Sequence, residues 1–283
     1  MRRRGRRRLP MTGDARTTQR TLTVGRQRIR VHIRRGSGVP LVLCNGIGAG
    51  LEVLDPFVAA LDPATTIVRF DVPGVGGSRT SFAPYGFGYL ARLLGRVLDR
   101  LGIGVVDVLG LSWGGALAQQ FAFQNPRRCR RLVLVATATG ALMVPGHPRV
   151  LAKMLTGRRF TDPDHTAAIA GQIYGGTARN QGSDIAALFD TQSHAGSTIG
   201  YLHQLLAGAV WTSLPMLPLI RQPTLIVAGT DDPIVPIVNA HILHRLLPHA
   251  TLYLHNGGHI EPITNAGRLA PVIDAFLHEP EQR

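Results

Sequence analysis

The chain has 283 residues, of which 45% are hydrophobic and 17% charged, and its formal net charge is +14. This size and composition suit one large domain, or a core domain with an inserted subdomain. No run approaches the roughly 18 consecutive apolar residues that span a bilayer, and residues 1–30 lack the apolar segment of a secretion signal. We therefore expect a cytoplasmic protein without a transmembrane segment.

Much of the positive charge is concentrated at the amino end, where six arginines lie between Met1 and Arg8. Such a run can contact nucleic acid or an anionic surface, but charged chain ends are more often solvated and disordered. We therefore expect residues 1–19 to form a disordered basic tail, and we expect no nucleic-acid partner. Cys44 and Cys129 lie far apart in the sequence, so unpaired thiols are favoured over a disulfide framework.

The order of apolar runs predicts the fold class. Two alternating runs flank Gly25 and predict a half-exposed hairpin, Thr21–Val24 with Ile29–Ile33. Segments with helical spacing then separate strand-like runs of the kind buried in a parallel sheet, which are Leu41–Cys44, Thr66–Phe70, Val105–Leu109, Leu132–Ala136, Thr224–Ala228 and Thr251–His255. The alternation predicts an α/β protein with a mostly parallel, doubly wound sheet.

The alternation stops between residues 139 and 219, where helical segments, glycines and prolines occur without a convincing strand. We interpret this stretch as a helical lid inserted into the sheet. The core domain would then consist of residues 20–138 and 220–283.

A candidate nucleophile follows the strand Val105–Leu109 directly. The sequence continues as Gly110-Leu-Ser112-Trp-Gly114 and then enters a helical pattern, so Ser112 lies on a tight turn between a strand and a helix. The backbone of a nucleophile on such a turn is strained, and only very small residues fit two positions before and two positions after it. This G-x-S-x-G turn in this context predicts a serine hydrolase of the α/β-hydrolase fold.

A serine hydroxyl needs a histidine to accept its proton and a carboxylate to orient that histidine. In this fold both follow the serine, with the acid first. His259 lies in a loop just past the last predicted strand, and Asp232 follows the strand before it. We therefore predict a Ser112–His259–Asp232 catalytic triad. The adjacent Asp231 remains an alternative acid.

Two loops are predicted to form the oxyanion hole. The backbone N–H of Trp113, directly after Ser112, should supply one donor, and that of Ile47, in the loop after Leu41–Cys44, the other. Asn45 and Gly46 of the same loop are candidate substrate contacts. If the glycines of this loop only turn the chain, Asn45 would orient the loop instead.

Metal and cofactor sites are not predicted. The sequence has neither an HExxH pattern nor paired cysteines at zinc-binding spacing. The glycines of Gly74–Gly77 follow a strand, but no G-x-G-x-x-G motif opens a helix there, which argues against a nicotinamide site. We therefore expect hydrolysis without a cofactor or metal ion.

Beyond these motifs, longer runs make the chain similar to the intracellular medium-chain-length poly(3-hydroxyalkanoate) depolymerases, from about Leu41 to Phe276. The runs that carry the resemblance are Asn45–Ala49, Phe70–Ser78, Ser112–Ala122, Ala136–Ala141, Met143–Gly146, Ile173–Gly176, Trp211–Ser213 and Gln222–Leu225. The resemblance implies a storage polyester of 3-hydroxy acids as substrate, association with the surface of its granules, and the same triad.

Several features qualify or extend this resemblance. The basic tail, residues 177–197 and the run Ile260–Pro262 depart from the family pattern, which leaves the preferred acyl chain length open. The lid is rich in apolar side chains, as suits an acyl group or an insoluble surface, and Met143 and Trp211 are its candidate substrate contacts.

Two other functions remain open. A small-molecule carboxylesterase, thioesterase or C–C hydrolase would share the triad and act on a small acyl ester instead of a polymer. A hydrolase-fold protein that binds acyl ligands without turnover would share the fold alone.

Overall fold

The computed structural model describes residues 17–190 and 196–280. Eight strands form one sheet in the order β1-β2-β4-β3-β5-β6-β7-β8. The strands are β1 Thr17–Val24, β2 Gln27–Arg34, β3 Ser37–Cys44, β4 Thr65–Phe70, β5 Val106–Leu111, β6 Cys129–Val135, β7 Thr224–Gly229 and β8 Ala250–His255. Strand β2 pairs antiparallel with β1 and β4, and all pairs from β4 to β8 are parallel. The predicted sheet and its hairpin are therefore confirmed.

Several predicted strand boundaries differ from those in the structure, and two of the differences bear on the basic tail and on the candidate site. Strand β1 begins at Thr17 and pairs with β2 along its whole length, so residues 17–19 belong to the sheet and not to the basic tail. Residues 1–16 of that tail lie outside the described residues. Strand β5 continues to Leu111, because its pairing with β6 extends through Gly110 to the residue before Ser112.

Helices cover both faces of the sheet. They are α1 Asp55–Ala60, α2 Phe87–Leu101, α3 Trp113–Gln124, α4 Pro148–Met154, α5 Pro163–Tyr174, α6 Gly182–Asp190, α7 Thr198–Val210, α8 Val238–Leu246, α9 Glu261–Thr264 and α10 Ala266–His278. One apolar cluster packs α2, α3 and α8 on one face, and a second packs α1, α5, α6 and α10 on the other. The sheet is thus buried between two layers, as its continuous apolar strands require.

Helices α4 to α7 all lie within residues 139–219, between β6 and β7, and we call this stretch the insert. Its described residues also form short 3₁₀ helices, and their β structure is limited to one isolated bridge between Gly140 and Thr212. Within the described ranges, none of the helices has the length and apolar character to cross a membrane. Cys44 and Cys129 are free and buried.

Candidate active site

Ser112 occupies a strained turn at the carboxyl end of β5. Its φ is 55° and its ψ is −119°, in the region that residues with a side chain rarely adopt. A Cβ on Gly110 would overlap the backbone of α3, and one on Gly114 would overlap the backbone carbonyls of Cys44 and Asn45. Close approach of three backbone segments therefore requires glycine on both sides of the serine.

A chain of hydrogen bonds joins Ser112 to two distant residues. His259 Nε2 lies 2.8 Å from Ser112 Oγ, and His259 Nδ1 lies 2.7 Å from Asp232 Oδ2. An ionised carboxylate can only accept, so Nδ1 donates to Asp232 and Nε2 is left to accept from the serine hydroxyl. The histidine and aspartate side chains are buried. The structure thus brings together the three residues that the sequence proposed, in the order that activates a nucleophile.

Backbone hydrogen bonds hold Asp232 in place. Its Oδ1 accepts from the N–H groups of Ile234 and Val235, each at 2.9 Å. The loop after β7 therefore fixes one carboxylate oxygen and leaves the other for His259.

Asp231 has different partners. Its carboxylate pairs with Arg179 and accepts from the N–H of Gly176, both in the insert. The hydrogen bond from Arg179 lowers the pKa of Asp231 below its usual value. The alternative acid of the sequence analysis thus ties the insert to the core and does not contact His259.

The loop that carries His259 packs on the end of α5. The N–H of His259 donates to the carbonyl of Tyr174 at 2.7 Å, and the rings of the two residues stack at 6.4 Å. A Cβ on Gly258 would overlap the Tyr174 carbonyl, and a Cβ on Gly176 would overlap the Gly258 nitrogen. Contact between glycines of the insert and the core therefore sets the position of the imidazole.

The loop after β3 lies across the site from His259. Asn45 Nδ2 donates to the carbonyl of Gly50 at 2.6 Å, which closes this loop on itself. The carbonyl of Ile47 accepts from Arg159 Nη2 at 3.3 Å, and the N–H of Gly48 donates to Gln204 Oε1 at 2.8 Å. Residues of the insert therefore hold the loop that we predicted to supply an oxyanion-hole donor.

A cavity of about 40 Å³ adjoins Ser112 and His259. This volume admits a few water molecules, far less than a typical ligand pocket. Five of its lining residues belong to the insert: Met154, Arg159, Phe160, Tyr174 and Phe189. The core supplies the rest: Asn45, Gly46, Ile47, Ala49, Val53, Leu111, Ser112, His259, Ile260 and Ile263.

The structure places Met143 and Trp211 away from this cavity, contrary to the sequence prediction. Trp211 Nε1 donates to Gln120 Oε1 at 2.6 Å, and its ring lies 4.9 Å from that of Phe87. Trp211 therefore anchors the insert to α2 and α3. Met143 is half-buried in a turn, where its N–H donates to the carbonyl of Gly140.

A second cavity, of about 350 Å³, lies between the insert and the loop that follows β4. Its apolar lining includes Leu155, Phe160, Tyr201, Leu202 and Leu205. Phe160 lines both cavities, so its ring forms part of the wall between the serine cavity and the larger space.

Sequence reasoning missed Arg159, Phe160 and Tyr174 as site residues. Arg159 follows another arginine, and such a pair is typical of a solvated surface. Tyr174 carried a weak signal, because it precedes two adjacent glycines at the end of a helical pattern. Only the packing of the insert on the core brings these side chains to Ser112.

The fold and this site define a class of protein, and comparison with known proteins agrees. Residues 39–266 match the model of the α/β hydrolase fold family, so the chain belongs to that family. An enol-lactonase from Burkholderia xenovorans superposes with a TM-score of 0.79 at 24% identity, covering 92% of this chain and all of that one. A thermophilic esterase from Thermogutta terrifontis gives 0.75 at 23% identity, covering 93% and 98%. These likenesses show the fold.

A curated relative with higher sequence identity narrows the assignment within the α/β hydrolase fold family. The chain is 48% identical, over 93% of its length and 94% of the relative's, to a poly(3-hydroxyalkanoate) depolymerase from Ectopseudomonas oleovorans. The chain is thus a carboxylic ester hydrolase of the same family as that depolymerase, and the resemblance predicted from the sequence is confirmed.

Proposed function

We propose that the chain hydrolyses esters through a catalytic triad of Ser112, His259 and Asp232. The hydrogen-bonded path from the serine hydroxyl through the imidazole to the carboxylate carries this proposal. His259 Nε2 takes the proton of Ser112 as Oγ bonds to the ester carbonyl carbon, and it then gives the proton to the leaving alcohol. Water, activated by the same imidazole, releases the acid from the acyl-enzyme.

The N–H groups of Ile47 and Trp113 are the proposed oxyanion donors. Trp113 is the first residue of α3, and an N–H at that position has no partner within its own helix. Neither N–H has a hydrogen-bond acceptor among the described residues of the chain. Two free donors beside the nucleophile suit the negative oxygen of a tetrahedral intermediate.

The proposed substrate is a poly(3-hydroxyalkanoate) with alkyl side chains of medium length. The 48% identity to a depolymerase over nearly the whole chain supports this substrate class. The apolar cavity of about 350 Å³ is large enough for an alkyl side chain, whereas the 40 Å³ cavity at Ser112 is not. Substrate binding therefore requires side chains of the insert, Phe160 above all, to move aside.

The proposed site of action is the surface of the polymer granule. Helix α7 exposes four apolar side chains at helical spacing, Ile199, Leu202, Leu206 and Val210, with exposed fractions between 44% and 82%. Their spacing places them on one face of the helix. An apolar stripe on the insert, beside the larger cavity, suits contact with an insoluble polyester.

The test compares a polymer suspension with soluble esters. The unchanged protein should release 3-hydroxy acids from a suspension of medium-chain polyester, and Ser112→Ala should lower the rate by roughly 10⁴-fold or more without a loss of thermal stability. Hydrolysis of soluble esters alone would support a small-molecule esterase instead. Turnover by a folded Ser112→Ala variant would contradict the triad.

A further inference from the structure

Arg159 is a buried cation that lines the serine cavity. Its side chain belongs to the 3₁₀ helix Gly157–Phe160, and the residue is only 2% exposed. Burial of a charge is costly unless an opposite charge or strong hydrogen bonds compensate for it. The hydrogen-bond partners of Arg159 therefore show whether its charge is compensated within the chain or left available to a ligand.

The described residues give Arg159 only uncharged partners. Its Nη1 donates to the hydroxyl of Tyr201 at 2.9 Å and to the carbonyl of Thr156 at 3.4 Å, and its Nη2 donates to the carbonyl of Ile47 at 3.3 Å. Its Nε is buried without an acceptor, and no carboxylate of the described chain forms an ion pair with it. Two of the three bonds are thus long, and one donor is unused. The guanidinium carbon also lies 4.4 Å from the ring centre of Phe160 and 5.5 Å from that of Tyr201, and these aromatic faces offset part of the charge but supply no acceptor for the unused donor.

Other buried arginines of the chain are better compensated. Arg30 and Arg69 pair with carboxylates, and Arg131 donates to the carbonyls of Leu277 and Glu279 at 2.6 and 2.5 Å. Arg131 also lies outside the lining of the serine cavity, whereas Arg159 contributes to it. Position and incomplete hydrogen bonding together distinguish Arg159.

We propose that Arg159 binds the free carboxylate at the end of the polyester chain, so that the enzyme removes terminal 3-hydroxy acid units. This inference rests on the proposed function. In a terminal unit, two carbons separate the ester oxygen from the carboxylate carbon, so a cation near Ser112 is within reach of that carboxylate. A planar guanidinium is also the side chain best suited to a carboxylate.

The chemistry of the step places the carboxylate on the leaving group. Ser112 Oγ bonds to the carbonyl carbon of the penultimate unit, and the bond between that carbon and the ester oxygen breaks. The serine proton passes through His259 to the departing oxygen, which becomes the hydroxyl of the released acid. Arg159 holds the carboxylate of that acid and so positions the scissile ester.

The test measures binding without turnover, in a Ser112→Ala background. The ligands are the linear dimer of 3-hydroxyoctanoic acid, with its carboxylate free, and the methyl ester of that dimer. Titration calorimetry at neutral pH should show the free acid bound roughly tenfold or more tightly, as one charge-assisted pair implies. Equal affinity for the two ligands would overturn the proposal, whatever the fate of any Arg159 variant.

Variants then assign the preference to one residue. Adding Arg159→Met should bring the two affinities together, and Arg159→Lys should retain part of the difference. Arg149→Met is the matched control, because Arg149 is an exposed arginine of the same insert and lines neither cavity. A preference that survives Arg159→Met, or that disappears with Arg149→Met, would contradict the assignment. Equal binding of the dimer and of monomeric 3-hydroxyoctanoate would indicate a site for the released acid and not for a chain end.

Kinetics of the unchanged protein separate this inference from the proposed function. If the free acid and the methyl ester bind equally and are hydrolysed with equal kcat/KM, the protein is an ester hydrolase without a carboxylate site. The proposed function would then stand and the inference about Arg159 would fail. Selective binding of the free acid, without hydrolysis of either dimer or of a polyester suspension, would indicate a carboxylate site in a protein that is not a depolymerase.

Discussion

Asp231 and Asp232 are adjacent in the sequence but lie in different environments. The Asp232 side chain is 1% exposed and has Ile234, Val235 and His259 as partners. The Asp231 side chain is 43% exposed and faces Arg179. One aspartate therefore orients the imidazole, while the other links the insert to the core.

At this scale we predict opposite outcomes for two matched substitutions. Asp232→Asn should lower kcat by about 10⁴-fold, because an amide NH₂ opposite His259 Nδ1 disfavours the tautomer that accepts the serine proton. An asparagine oxygen can still accept from Ile234 and Val235, so the variant should fold. Asp231→Asn should retain most of the activity, since exposed ion pairs contribute little. Equal losses in kcat would refute the assignment of the acid.

At the scale of elements, the position of His259 depends on how the end of α5 packs against the loop after β8. Both segments lack side chains where they meet, at Gly175–Gly176 and Gly257–Gly258. The carbonyl of Tyr174 accepts the His259 N–H at the same contact. The insert therefore contributes to the geometry of the site even where it supplies no reacting group.

A methyl group added to this contact should impair activity. In Gly258→Ala the new Cβ would overlap the Tyr174 carbonyl, so we expect kcat to fall by about tenfold or more as His259 shifts. The variant should also lose about 1–3 kcal/mol of unfolding free energy through overpacking.

Gly267→Ala is the matched control, because a Cβ at that position in α10 has no neighbour within 4 Å. Helix propensity should make this change neutral or stabilising by up to about 1 kcal/mol. Full activity and stability in Gly258→Ala would show that the glycine contact does not set the position of His259.

At the scale of the whole molecule, the insert combines several tasks. It lines the serine cavity, forms much of the larger apolar cavity, and exposes the stripe of α7. It is also tied to the core by Trp211, Gln204 and Asp231. If the proposed function holds, a segment with these contacts is suited to couple the polymer surface to the proposed triad.

We predict that the stripe matters for polymer and not for soluble substrate. The double change Leu206→Gln with Val210→Gln should reduce hydrolysis of a polyester suspension by roughly tenfold, because less apolar surface is buried at the polymer. Hydrolysis of a soluble ester should remain unchanged. Val105→Gln serves as the control, since Val105 is exposed just before β5, at the opposite edge of the sheet from Ser112. Parallel losses on both substrates would argue against surface docking.

Short-range sequence patterns were sufficient to predict the fold class and to propose candidate reacting groups. Apolar runs of strand length specify buried strands, and the G-x-S-x-G pattern around Ser112 is short enough to be recognised from the sequence, although Gly114 is required by the distant backbone of Cys44 and Asn45. Because chain order in this sheet limits which loops meet at its carboxyl edge, Asp232 and His259 could be proposed from position alone.

Sequence patterns were insufficient for contacts between segments distant along the chain. Met143 and Trp211 are apolar residues of the insert like Phe160, and composition does not tell which of them lines a cavity and which anchors the segment. From the sequence alone Arg159 resembles a surface arginine, and only the packing of the insert against the loop that contains Ile47 shows that it is buried. The periodicity of a segment reports which face is buried, but the identity of its neighbours depends on the packing of the whole chain, which only the tertiary structure decides.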